Sequence, residues 1–220
     1  MPNVPHTVSD VMTHTVVAVG RQAGFKEIVK IMEQWKVSAL PVLEGEGRVI
    51  GVVSEADLLP KEEFRDAVPS PDGGTRHVTD LAKAGASTAE ELMSTPVVTV
   101  RADATLAEAA RIMARRQVKR LPVTGPDGLL EGVISRSDLL KVFLRSDDDL
   151  AEEVSRKLRE LFPAPVAPLE VTASEGIVTV TGTVRDSMLA PLATHLVRGV
   201  EGVVGVDCRL NTSGRPANAG

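Results

Sequence analysis

At 220 residues, with 43% hydrophobic and 25% charged side chains, the chain is composed as a soluble globular protein with room for one large or two modest domains. One Trp, four Phe and no Tyr require an aliphatic core and leave little surface for stacking bases, and a net charge of −5 argues against nucleic acid. The single Cys208 excludes an internal disulfide; with no apolar secretory leader and no run near the ~20 apolar residues of a membrane helix, a cytoplasmic location is expected.

The first elements form a unit of order β-α-β-β-α. Val16–Val19 reads as a short strand. Phe25, Ile28, Val29, Met32 and Trp35 recur at helical spacing and predict one buried helical face. Two strands follow, around Leu40–Leu43 and Val49–Val53, joined by the Gly-containing turn EGEG. A second helix starts at Ser54. Residues 61–86 then break the pattern as a linker, with a loop at Pro-Ser-Pro-Asp-Gly-Gly.

The unit then repeats. Sliding the chain by 81 positions aligns Val11–Leu59 with Leu92–Leu140 without a gap, and about two positions in five are identical. Met12 meets Met93, the LPV of 40–42 meets that of 121–123, and Gly51, Ser54 and Asp57 meet Gly132, Ser135 and Asp138. The matching strand is Val97–Val100, and the matching helical face carries Leu106, Ala109, Ala110 and Met113. Each half alone is near the size at which a core is marginal, so two packed together would bury what one cannot.

A third unit opens at the acidic run Asp147–Asp149. Leu150, Val154, Leu158 and Leu161 mark an amphipathic helix ended by Pro163. Leu169–Thr172 and Ile177–Val184 read as strands, with Val178, Val180 and Val184 on one face. A helical stripe of Leu189, Leu192, Ala193, Leu196 and Val197 follows. In a last strand Val204, Val206, Cys208 and Leu210 are expected to point inward, which makes Cys208 an inert core thiol. The class is α+β: two β-α-β-β-α units as a pseudo-symmetric pair, plus a small α-β-β-α-β unit. The expected divisions are 7–60, the linker 61–86, 87–146, 147–212 and a disordered tail over 213–220.

Ser-x-x-Asp, written twice at a strand-to-helix junction, admits two readings. It is a helix start in which Ser and Asp satisfy the first turn's orphan N–H groups and dipole. The same geometry suits a ligand, since the helix N-terminus and Ser hydroxyl favour phosphate and an acceptor-only carboxylate can take both hydroxyls of a ribose.

Two in-register copies with an LPV strand and a Gly-x-x-Ser-x-x-Asp junction resemble a tandem cystathionine-β-synthase (CBS) domain pair, the Bateman module, over roughly 7–60 and 87–146. The resemblance implies an adenosine-containing ligand such as AMP, ADP, ATP or S-adenosylmethionine in clefts between the halves, no obligatory cofactor, and a homodimer. It assigns ribose contact to Asp57 and Asp138 and hydroxyl contact to Ser54 and Ser135. It places Thr15, Val16, Ser38, Ala39, Pro96 and Val97 around the adenine.

The copies differ in charge. Residues 7–59 hold 5 basic and 7 acidic side chains, whereas 86–146 hold 9 and 7. The first junction carries Glu55-Ala56 and the second Arg136-Ser137; before LPV the first copy has Ser38-Ala39 and the second Lys119-Arg120. Arg136, Lys119 and Arg120 can clamp a phosphate that Glu55 would repel, and because the two halves share both clefts the sequence leaves open which of them these cations serve. Two unequal sites are therefore expected: a phosphate-bearing nucleotide at Asp138, and an empty or less anionic site at Asp57. The bland reading of the basic cluster is a solvated helix end.

The C-terminal unit, with GIVTVTGTV and Gly202–Asp207, resembles a BON domain over about 148–212. That family is linked with envelope or phospholipid attachment and with protein contacts. With 6 basic and 10 acidic side chains over that range, the charge argues against an anionic membrane, so a protein partner is the expectation. His6, His14, His77 and His195 are scattered, and neither a Gly-x-x-x-x-Gly-Lys phosphate loop nor a Gly-x-Ser-x-Gly elbow occurs. The expected function is a non-enzymatic nucleotide sensor with the BON-like unit as adaptor or output. The alternatives are a constitutive interaction module and a membrane-surface adaptor.

Overall fold

The computed structural model describes residues 6–65, 75–162 and 168–212. They divide into two compact units, His6–Leu139 and a second from Leu140 onward.

The first unit contains both repeats. The first repeat runs α1 (Val8–Val11), β1 (Val19–Gly20), α2 (Phe25–Trp35), β2 (Ala39–Glu44), β3 (Arg48–Ser54) and α3 (Glu55–Leu58). After α4 (Pro60–Glu63) and α5 (Thr75–Gly85), the second runs α6 (Ala89–Leu92), β4 (Val100–Arg101), α7 (Leu106–Arg116), β5 (Arg120–Thr124), β6 (Leu130–Ser135) and α8 (Arg136–Leu139). Each forms a three-stranded sheet, β1-β2-β3 and β4-β5-β6, with one parallel and one antiparallel pairing. The duplication reaches backbone detail. Both long helices end on a non-glycine residue in the left-handed region, Lys36 (φ 52°) and Gln117 (φ 55°), and both hairpins carry an irregularity after the Val of LPV.

The halves exchange their leading segments. Thr13 pairs with Val133 of the other sheet, and Ser94 pairs with Val52. Thr7 likewise meets Thr105, and Gly24 meets Thr88. In place of the expected strands Val16–Val19 and Val97–Val100 stand two-residue strands that begin at their last residues, Val19 and Val100, while the backbone ahead of them bonds across to the opposite half. The cores are shared accordingly. Ala86, Ala89 and Leu92 are buried in one cluster with Ile28, Leu40, Val42 and Val53.

One expectation needs correction here, and the linker holds an element that the pattern did not disclose. In α2 only Ile28 and Met32 are buried; Val29 and Trp35 are exposed, because the helix turns a narrower stripe to its sheet than five apolar residues suggest. The linker is not all loop. Thr75–Gly85 is helical, and Lys61 donates to the carbonyls of Ala84 (3.0 Å) and Ala86 (2.9 Å) while its ammonium lies 5.3 Å from the Phe25 ring centre. The Pro-Ser-Pro-Asp-Gly-Gly loop, residues 69–74, lies outside the described residues.

The second unit runs from a 3₁₀ turn (Leu140–Leu144) through α9 (Asp147–Leu161), β7 (Glu170–Ser174), β8 (Ile177–Val184), α10 (Leu189–Arg198) and β9 (Gly205–Thr212), in sheet order β7-β8-β9. Ser146 caps α9 by accepting from the Asp149 N–H at 3.1 Å, while the Asp147 carboxylate accepts the N–H groups of Glu175 and Gly176, both at 2.9 Å. Arg145 bonds Glu153 at 2.7 Å and the Glu201 carbonyl at 2.8 Å, which ties the start of the unit to its core. Leu150, Val154, Leu158, Val178, Val180, Ala193 and Val197 fill that core, and Cys208 packs partly buried against it. Val204 does not point inward. It is 66% exposed, in the irregular stretch just before β9, where its N–H donates to the Gly176 carbonyl at 2.8 Å. Leu192 is exposed as well. Pro163 and the tail 213–220 lie outside the described residues.

Candidate functional site

Each Ser-x-x-Asp folds as a reciprocal helix start. Ser54 is the N-cap of α3, and Asp57 turns back so that its Oδ2 accepts from the Ser54 N–H and hydroxyl, both at 2.7 Å. Asp138 Oδ2 accepts the same pair from Ser135 at 2.8 and 2.6 Å. The capping reading therefore holds at both junctions. It leaves the second oxygen of each carboxylate to be accounted for.

In the first copy that oxygen is taken. Asp57 is only 7% exposed; its Oδ1 accepts from the Lys83 ammonium, on α5, and from the Ser94 hydroxyl at 3.1 Å. A buried carboxylate requires such partners, and a cation at contact distance is the strongest available. Asp138 is half-buried. Next to it, Arg136 reaches the Val118 carbonyl at 3.2 Å, and the Ser137 hydroxyl bonds that of Ser135 at 2.8 Å.

A cavity of about 490 Å³ opens between the two halves. One wall is built by the first repeat: Ser38 and Ala39 where β2 begins, Val52, and the junction Ser54–Asp57. The other comes from the second repeat: Ser94, Pro96–Val98 and Gln117–Arg120. Such a space, mostly apolar with a few convergent polar groups, has the dimensions of a small-ligand site. Its charged groups are Glu55, Asp57, Lys119 and Arg120, with Asp57 already offset by Lys83. Together they favour an anion on the side of the two cations.

Of the residues singled out in the sequence, Ser38, Ala39, Ser54, Asp57, Val97, Lys119 and Arg120 meet around this cavity. Asp138, Ser135, Arg136, Ser137, Thr15 and Val16 do not line it. Lys119 and Arg120 line this cavity and also adjoin the second junction, where Arg120 pairs with Ser135 and the Arg136 N–H donates to the Lys119 carbonyl at 3.1 Å. The two cations face Asp57 and Glu55, because the exchange of leading segments sets the end of α7 opposite α3. Ser94 and Lys83 escaped the sequence reading. Ser94 had a signal, since the duplication aligns it with another hydroxyl, Thr13. Lys83 had none, because it lies in the linker outside the repeat. Among the described residues there is no group of His, Cys, Asp and Glu able to hold a metal ion, and no helix is long and apolar enough to cross a membrane.

Comparison with known proteins agrees with this architecture. The CBS domain profile matches residues 8–61 and 89–145, and the BON domain profile matches residues 146–214. An uncharacterized protein of Methanocaldococcus jannaschii is 26% identical over 153 residues, covering 62% of this chain and 90% of that protein. The chloroplastic CBS domain-containing protein CBSX2 of Arabidopsis thaliana is 27% identical over 156 residues, 65% of this chain and 66% of its own length. The solved structure of CBSX2 in complex with AMP superposes with a TM-score of 0.56 at 27% identity, over 63% of this chain and 97% of that one. Inosine-5'-monophosphate dehydrogenase of Methanocaldococcus jannaschii is similar over 60% of this chain, but over only 22% of the enzyme. The chain belongs to the CBS-domain family, as a tandem CBS pair followed by a C-terminal BON domain.

Proposed function

We propose that the CBS pair binds an adenosine-containing nucleotide in the cavity at Asp57 and that the protein is a regulatory sensor rather than an enzyme. The observation that carries this reading is the convergence, in one cavity of about 490 Å³, of a carboxylate that can accept ribose hydroxyls in exchange for its present donors and two cations, Lys119 and Arg120, able to meet a phosphate. The likeness to CBSX2, whose structure holds AMP, supports the same choice of ligand. The apolar stretch of the wall, Pro96 to Val98, suits the adenine face. Asp138 is the pseudo-symmetric counterpart and a secondary position. The BON domain acts as output or adaptor toward a protein partner, and the pair assembles as a homodimer.

Calorimetric titration with AMP, ATP and S-adenosylmethionine tests this. For AMP the expected Kd is ~10 μM, about −7 kcal/mol. The expectation is that Asp57→Asn and the double change Lys119→Gln, Arg120→Gln each weaken it at least tenfold, while Asp138→Asn weakens it less. Equal affinity in Asp57→Asn would remove the site from this cavity. A second reading, a constitutive interaction module whose Ser-x-x-Asp motifs are caps alone, draws on the hydrogen bonds that already fill the Asp57 carboxylate. No heat and no thermal stabilisation with any of the three ligands would select it.

A further inference from the structure

Asp57 offers about four lone-pair positions to hydrogen-bond donors. Four donor contacts occupy them: the Ser54 N–H and hydroxyl at Oδ2, the Ser94 hydroxyl and the Lys83 ammonium at Oδ1. A ribose diol cannot simply be added to this carboxylate. It must replace donors already there. The two at Oδ2 belong to the β3–α3 junction, and releasing them uncaps the helix. The two at Oδ1 come from elsewhere in the chain. Ser94 can satisfy its hydroxyl by rotation. Lys83 cannot, because its side chain is 15% exposed and its ammonium would be left without its carboxylate partner.

Lys83 projects from α5, in the connection between the two repeats. The same helix end is held by Lys61, whose ammonium donates to the Ala84 and Ala86 carbonyls. Lys83 thus provides a charged side-chain tie between α5 and the junction that lines the cavity.

We propose that α5 is a built-in competitor for the nucleotide site: Lys83 holds Asp57 Oδ1 in the free protein, and a bound nucleotide takes that oxygen with its ribose and loosens α5. This rests on the nucleotide reading of the cavity given above. Occupancy and docking of α5 are then linked with opposite sign, and the linkage is reciprocal, as coupling free energies must be. The connection between the repeats becomes the element that reports ligand, and a protein whose competent state is only partly populated binds with correspondingly reduced apparent affinity.

The test uses the full chain, wild type and Lys83→Met, with AMP as the probe, and pairs calorimetry with amide hydrogen exchange over 79–86. In the absence of AMP, Lys83→Met is expected to raise exchange in that stretch while leaving β2 and β3 unchanged. It is also expected to tighten AMP binding by about tenfold, the share of affinity lost to the competing contact. Saturating AMP is expected to raise exchange of 79–86 in the wild type toward the level of the variant. Weaker AMP binding in Lys83→Met would overturn the proposal, as Lys83 would then be a ligand contact. Unaltered or slower exchange of 79–86 on AMP binding to the wild type overturns it too, and that arm stands even if the variant does not fold. If AMP binds neither protein, the nucleotide reading itself fails and the competitor with it. If AMP binds both equally without affecting α5, the competitor alone fails.

Discussion

Gly51 and Gly132 open the motif that recurs in both repeats, and each is buried where the opposite half arrives. A Cβ on Gly132 would lie 2.5 Å from Met12 Sδ and 3.0 Å from the Thr13 carbonyl oxygen; one on Gly51 would lie 2.9 Å from Met93 Cβ. The absence of a side chain is what allows each leading segment to cross onto the other sheet. Gly132→Ala is therefore expected to destabilise the protein by about 2 kcal/mol through overpacking. The addition of Met12→Ala should recover part of the loss; urea unfolding of the two single variants and the double variant measures that coupling. A strict sum of the two single effects would mean that Met12 and Gly132 do not meet. The recurrence of these glycines was plain in the sequence. The reason for it was not, because the partner of each lies in the other repeat.

Among elements, the contact between the loop before α2 and the start of α6 shows how the halves are joined by charge as well as by core. Arg21 binds both Glu44 and Glu90, Gln22 donates to Glu90 at 3.1 Å, and the Glu90 N–H donates to the Arg21 carbonyl at 2.9 Å. The Arg21 hydrogen bond is the main reason that the Glu90 carboxyl sits below its ordinary value of 4.5. A carboxyl with a depressed folded pKa contributes stability above its unfolded pKa and loses it as pH falls through the folded value. The stability difference between wild type and Arg21→Gln should accordingly be constant near neutrality and shrink on acidification below about pH 4.5, in denaturant unfolding followed against pH. A difference that grows with acid would contradict the assignment. Periodicity identified α2, α7, α9 and α10 as helices, since each presents buried residues at helical spacing. It overstated the buried width of α2 and of α10, where Trp35 and Leu192 are exposed, because a periodic pattern does not record how much of a helix its sheet can cover. The helix α5 was missed in a stretch read as connection. Its ties, Lys83 to Asp57 and Lys61 to the Ala84 and Ala86 carbonyls, all reach across the chain.

For the whole molecule, the homodimer proposed above is tested by sedimentation velocity, where the expected species has twice the 23.3 kDa chain mass at micromolar concentration. A monomer with and without AMP would confine the sensing to a single chain. The sequence by itself determined the duplication, the α+β class, the tandem CBS pair with its BON domain, and the residue types that could meet a nucleotide. The duplication and the class follow from local patterning and from self-similarity, which a linear chain displays directly; the CBS pair, the BON domain and the nucleotide-meeting residue types follow from the resemblance of its motifs to those families. Only the tertiary structure decided that the halves exchange their leading segments, that Lys119 and Arg120 share a cavity with Asp57, and that Lys83 closes on that carboxylate. Each of these depends on which distant surfaces meet. That choice is made by the packing of buried residues such as Leu92 against Ile28 and Leu40, and no spacing along the chain encodes it.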